Sequence, residues 1–187
     1  MRILSTKLDG VVIVDPTILV DKRGYLFESF ESYNQDAFAT AVGTSVEFVL
    51  DLHTRSKHGV IRGIHYQLRR PHAKLVSALF GRIFDVAVDL RQSSDTLGQW
   101  VSVELSADNR RQIWIPPGFG HAFLALSPNA EAMYKLSDYH SPEYNRTVCW
   151  NDSDIAIDWP LPPGLLAPIL SEKDRHGVAL REAEVFS

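Results

Sequence analysis

The sequence predicts an all-β fold, a sandwich or barrel of short strands. Three observations predict it. From Lys74 onward, short runs rich in β-branched and aromatic residues recur at near-regular spacing. Glycine and proline punctuate them, at Gly81, Gly98 and Pro116-Pro117-Gly118. No strand–helix–strand alternation, Gly-rich phosphate loop or internal repeat competes with that pattern. With 187 residues, 45% hydrophobic and 22% charged, the chain reads as one soluble domain over residues 1–187, long enough to bury a substantial core.

Taken in order, Gly10 to Pro16 reads as a strand closed by a turn, and Thr17 to Val20 as the next. Asp21-Lys22-Arg23-Gly24 is a turn, and Tyr25 to Phe30 has strand composition. Arg23 and Glu28 flank that aromatic run, and on their own they suggest a surface ion pair. Asn34 to Val42 is a short helix with Phe38 on its apolar side. Val46 to Leu50 returns to strand pattern, and the polar, basic stretch Leu52 to His58 reads as a loop. Strands follow at Lys74–Phe80, Arg82–Leu90, Trp100–Leu105, Gln112–Ile115, Ala122–Leu126 and Glu131–Leu136. Residues 152–187 form an irregular, proline-rich C-terminal wrap, able to send Asp174 inward.

The stretch Val60-Ile61-Arg62-Gly63-Ile64-His65-Tyr66-Gln67 stands apart as a buried strand carrying an arginine and a histidine. Arginine is seldom buried unpaired, and histidine is the side chain best suited to move a proton near neutral pH. Strict alternation puts Arg62 and His65 on opposite faces. They share a pocket only if the strand kinks, and Gly63 is the place for a bulge. The alternative is a structural ion pair and a hydrogen-bonded core histidine.

Composition narrows the function. A net charge of −4 disfavours nucleic-acid binding while leaving room for a local anion site. A single cysteine, Cys149, excludes an intrachain disulfide and the usual thiolate metal site. The first residues are not followed by a signal-like apolar run, and no segment is long and apolar enough to span a bilayer. The expectation is a cytoplasmic protein with no membrane partner.

Pro116-Pro117-Gly118-Phe119-Gly120-His121 fits the second short motif of cupin barrels. The metal-binding first motif is missing: His65-Tyr66-Gln67 supplies one imidazole, and Lys74 would repel a divalent cation. No metal is therefore expected. A barrel with histidines, a lysine, an arginine and a tyrosine suits proton transfer beside a carbonyl. Inversion there needs a base on one face, a cation for the enolate oxygen and an acid on the other face. His65 can be the base, Lys74 can hold the enolate, and Tyr134 can be the acid or simply a core tyrosine.

The markers Asp21-Lys22-Arg23-Gly24, Phe27-Glu28-Ser29, Gly59 to Gln67, Lys74-Leu75-Val76, Phe84 to Arg91, Trp114 to His121, Tyr134-Lys135 and Leu170 to Asp174 run in one order through nearly the whole chain. In these the chain resembles the dTDP-4-dehydrorhamnose 3,5-epimerase family. The resemblance implies a metal-free, cofactor-free cupin jelly roll with short peripheral helices, a homodimer whose N-terminal strands cross into the partner's sheet. It implies His65 as base oriented by Asp174, with Asp51 a rival partner, Tyr134 as acid, and Lys74 near the C4 oxygen. It also implies a nucleotide-sugar site lined by Arg23, Glu28, Arg62, His121 and Tyr139, with Arg23 and Glu28 reaching the partner's pocket. The implied substrate is dTDP-4-dehydro-6-deoxy-D-glucose, inverted at C3 and C5 toward L-rhamnose. A diphosphate suits the two arginines, whose guanidinium groups fork onto phosphate.

The chain departs from the family at Phe48-Val49-Leu50-Asp51-Leu52, where Gln and Asn commonly stand in place of Leu50 and Leu52. The loss of two amides implies a variant sugar or inversion at a single centre, with neutral drift as the alternative. A ketoisomerase, a non-catalytic sugar-nucleotide-binding cupin and a metal-dependent cupin oxygenase are the competing readings.

Overall fold

A computed structural model describes residues 1–30, 35–165 and 167–187. In chain order the strands are β1 (Arg2–Ser5), β2 (Val12–Asp15), β3 (Leu19–Asp21), β4 (Gly24–Leu26), β5 (Leu50–Lys57), β6 (Ile61–Gln67), β7 (Lys74–Phe80), β8 (Arg82–Asp89), β9 (Trp100–Ser106), β10 (Gln112–Ile115), β11 (Phe119–Ala125), β12 (Asn129–Leu136) and β13 (Asn145–Thr147). Among the described residues the α-helices are two short ones, α1 (Gln35–Val42) and α2 (Glu172–Arg175). The strands pair antiparallel into a six-stranded sheet, β1-β2-β10-β7-β12-β5, and a five-stranded sheet, β13-β6-β11-β8-β9. The fold is all-β, a cupin-like jelly roll.

Alternation along each strand sorts the side chains into three apolar layers. Val76, Ile83, Ile113, Phe123 and Ala132 point between the sheets and form the central core. On the outer face of the six-stranded sheet, Leu75 and Trp114 are covered by Phe38 of α1 and by Val46. On the outer face of the five-stranded sheet, Ile64, Val86 and Val88 are covered by Ile155, Trp159 and Phe186. The segment after β13 thus closes one face of the sandwich. Isolated bridges from Ile169 to Val60, Val178 to Val148 and Phe186 to Arg91 tie it down.

Polar residues that face inward follow the same alternation. On β8, Asp85 and Asp89 share the inner face with Ile83 and Ala87 and are fully buried. Asp89 is spent on a turn, accepting from Arg91, Ser94 and Thr96. Asp85 is left for the interior.

The sequence expectations hold for most strands, with two corrections. The stretch expected as a loop, Leu52 to His58, is most of β5, and the strand expected from Val46 starts only at Leu50. β5 is an edge strand paired on one side to β12, and its outward residues Asp51, His53 and Arg55 meet Lys135 and Glu131. A half-solvated edge strand carries polar residues that look like a loop. Tyr25 to Phe30 is strand only to Leu26. The hairpin β3–β4 joins neither sheet, and every residue of its strands is exposed, including Leu19, Val20, Tyr25 and Leu26. The helix expected from Asn34 runs from Gln35 to Val42, with Asn34 outside the described residues.

Candidate active site

A cavity of about 200 Å³ opens between the two sheets. β6 supplies Arg62 and His65 to it. Pairing with β11 shows how. His121 faces His65 and Phe123 faces Arg62, so three steps on β6 span two on β11. The extra residue is a bulge at Gly63-Ile64, and it turns both side chains inward. Only glycine fits there. Gly63 has φ of +120°, and a Cβ on it would lie 2.5 Å from both the His121 carbonyl oxygen and the Ala122 Cβ.

His65 Nε2 lies 2.5 Å from Asp174 Oδ1. The histidine is 33% exposed by its side chain and the carboxylate 2%, so the imidazole reaches the cavity while its partner is sealed behind it. α2 places Asp174. Its N-cap, Ser171, accepts from the Asp174 N–H at 3.2 Å and donates its hydroxyl to Asp174 Oδ2 at 2.6 Å. The Gly63 N–H donates to Oδ1 at 3.4 Å. Burial alone would raise the Asp174 pKa, but the bonds from His65 and Ser171 hold it below the ordinary carboxylate value. An ionised Asp174 accepts from Nε2–H and leaves Nδ1 with the lone pair. Burial lowers the His65 pKa from its ordinary value, and the bond to Asp174 offsets this only in part.

Across the cavity stand Lys74, at the start of β7, and Tyr134, on β12. Lys74 Nζ donates to the His65 carbonyl oxygen at 3.3 Å. Burial brings its pKa down to about 8, against the opposing pull of Asp85. Tyr134 is buried, its ring edge-on to His121 at 5.5 Å between centroids. Burial raises its pKa, so it carries its proton at neutral pH. His121 Nε2 meets both oxygens of Asp85, at 3.0 and 2.9 Å, in a fully enclosed pair. The Arg62 guanidinium donates to Ser56 Oγ at 3.0 Å and to the Arg55 carbonyl at 3.2 Å.

Of the residues singled out in the sequence, the cavity gathers Arg62, His65, Lys74, His121 and Tyr134, with Asp174 directly behind His65. Asp51 pairs with Lys135 at 3.1 Å and is not a partner of His65. Tyr139 is 58% exposed and does not line the cavity; its neighbour His140 does. Both follow the turn after β12, where Asp138 is clamped by Arg70. Arg23 lies on the exposed hairpin and pairs with Asp21 at 2.6 Å, not with Glu28. Glu28 lines a separate cavity of about 230 Å³ beside Leu26 and Phe38. Leu52 lines the cavity between the sheets, whereas Leu50 does not.

Sequence reasoning missed Asp85, His72 and Lys173. An aspartate inside the apolar run Phe84 to Val88 is itself a signal that a buried partner exists, but nothing in the sequence says which histidine. Among the described residues, no group of three or more His, Cys, Asp or Glu side chains is arranged to hold a metal ion, and no helix is long and apolar enough to cross a membrane.

Comparison with known proteins gives one family. The model of the dTDP-4-dehydrorhamnose 3,5-epimerase family matches residues 5–182. The dTDP-4-dehydrorhamnose 3,5-epimerase of Pseudomonas aeruginosa is 50% identical over 186 residues, covering 100% of this chain and 99% of that one. The dTDP-6-deoxy-D-glucose-3,5-epimerase of Legionella pneumophila, solved with dTDP-4-keto-L-rhamnose, superposes with a TM-score of 0.91 at 43% identity, covering 98% and 94% of the two chains. A 3'-monoepimerase from Streptomyces bikiniensis, solved with dTDP-quinovose, gives a TM-score of 0.86 at 30% identity over 95% of this chain and 87% of that one.

Proposed function

The chain belongs to the dTDP-4-dehydrorhamnose 3,5-epimerase family, and from that premise we propose which of its residues invert the sugar and how. The protein is an isomerase, an epimerase of a nucleotide-linked 4-keto-6-deoxy sugar in deoxysugar biosynthesis. The reading rests on dTDP-4-dehydro-6-deoxy-D-glucose as the substrate. Its C4 carbonyl acidifies the hydrogens at C3 and C5.

His65 Nδ1 takes the proton from one face of the ring. Asp174 fixes the imidazole and balances the imidazolium that forms. Negative charge collects on the C4 oxygen, where Lys74 supplies a cation already tethered beside the base. Tyr134 returns a proton from the other face. The observation that carries this reading is the placement of acid and base on different sheets: His65 on β6 of one and Tyr134 on β12 of the other, facing across one cavity. A module built only to bind has no use for that arrangement. Arg62 takes the diphosphate, and the exposed ring of Tyr139 offers a stacking surface to the base. His121 is held by Asp85 as a fixed wall of the sugar site.

The working unit in this reading is a homodimer. The β3–β4 hairpin, paired to neither sheet and exposing Leu19, Val20, Tyr25 and Leu26, suits exchange with a second copy, which would bring Arg23 and Glu28 to that copy's cavity. A single free cysteine fits a reducing compartment, and the cytoplasm is the place we assign.

NMR in D2O with dTDP-4-dehydro-6-deoxyglucose tests the reading. Deuterium should enter at C3 and C5, and a rhamnose-forming reductase should trap the L-sugar. His65→Asn should abolish exchange at both positions. Tyr134→Phe should leave exchange running while inversion falls about 100-fold or more. Exchange at C3 alone would instead favour the mono-epimerase reading, which the apolar Leu52 in the cavity supports. An absence of exchange in the wild-type protein would overturn both.

A further inference from the structure

The proton-transfer set leaves two cavity imidazoles without a role, His72 and His140, and His140 is already bonded to Asn145. His72 precedes β7 and shares the cavity face with Lys74, while Ala73 between them points into the outer core. Its segment is pinned. The Ala73 N–H donates to Ser137 Oγ at 2.8 Å, and the Ala73 carbonyl accepts from the Ser137 N–H at 3.2 Å. Gln67 Nε2 donates to the Arg70 carbonyl at 2.7 Å, and Arg70 grips Asp138. The backbone on either side of His72 is therefore held in the wall.

Its Nδ1 is buried with no hydrogen-bond partner. A proton there would be stranded, whereas a proton on Nε2 can meet whatever occupies the cavity. Burial, with Lys74 and His140 beside it, brings the His72 pKa down to about 4. The ring is a neutral donor through the working pH range. Of the other polar groups nearby, His140 bonds Asn145 at 3.1 Å, and the cations Arg62 and Lys173 suit the diphosphate better than a neutral hydroxyl. The β5 wall contributes Leu52, whose side chain has no polar atom to offer, and Thr54, whose hydroxyl donates to the Ala132 carbonyl at 3.4 Å.

We propose that His72 is a specificity residue, donating Nε2–H to the 2-hydroxyl of the sugar; this rests on the epimerase reading above. The chemistry of the substrate selects that hydroxyl. C1 carries the nucleotide, C3 and C5 are inverted, the C4 oxygen belongs to Lys74, and C6 is a methyl. The 2-hydroxyl is the one ring hydroxyl that keeps its position through both inversions, so a donor set in the wall is useful only there.

Wild type, His72→Phe and His72→Gln are compared on dTDP-4-dehydro-6-deoxyglucose and on its 2-deoxy analogue, by deuterium exchange and kcat/KM. Wild type should favour the 2-hydroxy sugar about 10-fold or more. His72→Phe should treat the two sugars alike within about 2-fold while keeping its rate on the 2-deoxy sugar, which also reports an intact fold. His72→Gln, which keeps a donor, should retain part of the preference. Equal turnover of both sugars by wild type, or undiminished preference in His72→Phe, overturns the inference alone. No exchange by wild type on either sugar overturns the epimerase reading beneath it.

Discussion

At the scale of the residue, the pair that matters most is His65 and Asp174. Asp174→Asn keeps the shape but replaces an acceptor by a group that can stabilise the wrong tautomer. The expected loss is about 10²–10⁴-fold in kcat with KM little changed, read from steady-state kinetics. In the proposed mechanism the pH profile follows from two ionisations. Neutral His65 is the active form, and burial keeps it neutral below its ordinary value of 6.5. Activity should therefore rise as pH increases through a value under 6.5. Protonated Lys74 is the active form, and its pKa lies near 8. Activity should therefore fall above about pH 8, and a rate unchanged to pH 10 would remove Lys74 from the enolate. That His65, Lys74 and Tyr134 belong to one site was legible in the sequence, through the chemistry that proton transfer beside a carbonyl needs and, for Tyr134, through the family resemblance; the cavity brings the three together. Asp85 and His72 were not legible. Their significance lies in being enclosed, Asp85 with a partner and Nδ1 of His72 without one, and enclosure is a property of the folded chain.

At the scale of the element, β6 depends on its bulge. Strict alternation separates Arg62 from His65, and Gly63 was the only hint that the strand would break the rule. The register with β11 shows the break. Gly63→Ala forces a methyl against the backbone of β11 at a backbone angle that side chains rarely adopt. It should cost about 1–3 kcal/mol in thermal unfolding and lower activity further than the lost stability explains, since Arg62 and His65 would diverge. β5 teaches the converse. Its outward residues form ion pairs with β12, so its composition hides a strand whose inward residues, Leu52 and Thr54, line the cavity. Hydrophobic periodicity finds strands that are buried on one face, and it passes over an edge strand with charged residues on one side and a binding cavity on the other.

At the scale of the molecule, the sandwich was legible because alternation and glycine turns repeat along most of the chain, while the proposed dimer came only from the family resemblance, since one sequence does not say which of its apolar residues await a second copy. If Arg23 acts in the partner's cavity, mixing two inactive variants should restore activity. A 1:1 mixture of His65→Asn and Arg23→Ala chains, unfolded and reassembled together, should recover about a quarter of wild-type turnover, because half the dimers hold one complete site. Recovery at background level would place Arg23 outside catalysis in trans. The position of Asp174 has a consequence of another kind. It lies 109 residues downstream of its histidine, beyond every strand of both sheets. A ribosome must have laid down the whole sandwich before the base can be set in place. A chain broken off after β13 would carry His65 without the carboxylate that orients it and without the segment that covers the five-stranded sheet, so interrupted synthesis should leave silent fragments and not half-competent enzymes releasing stray intermediates.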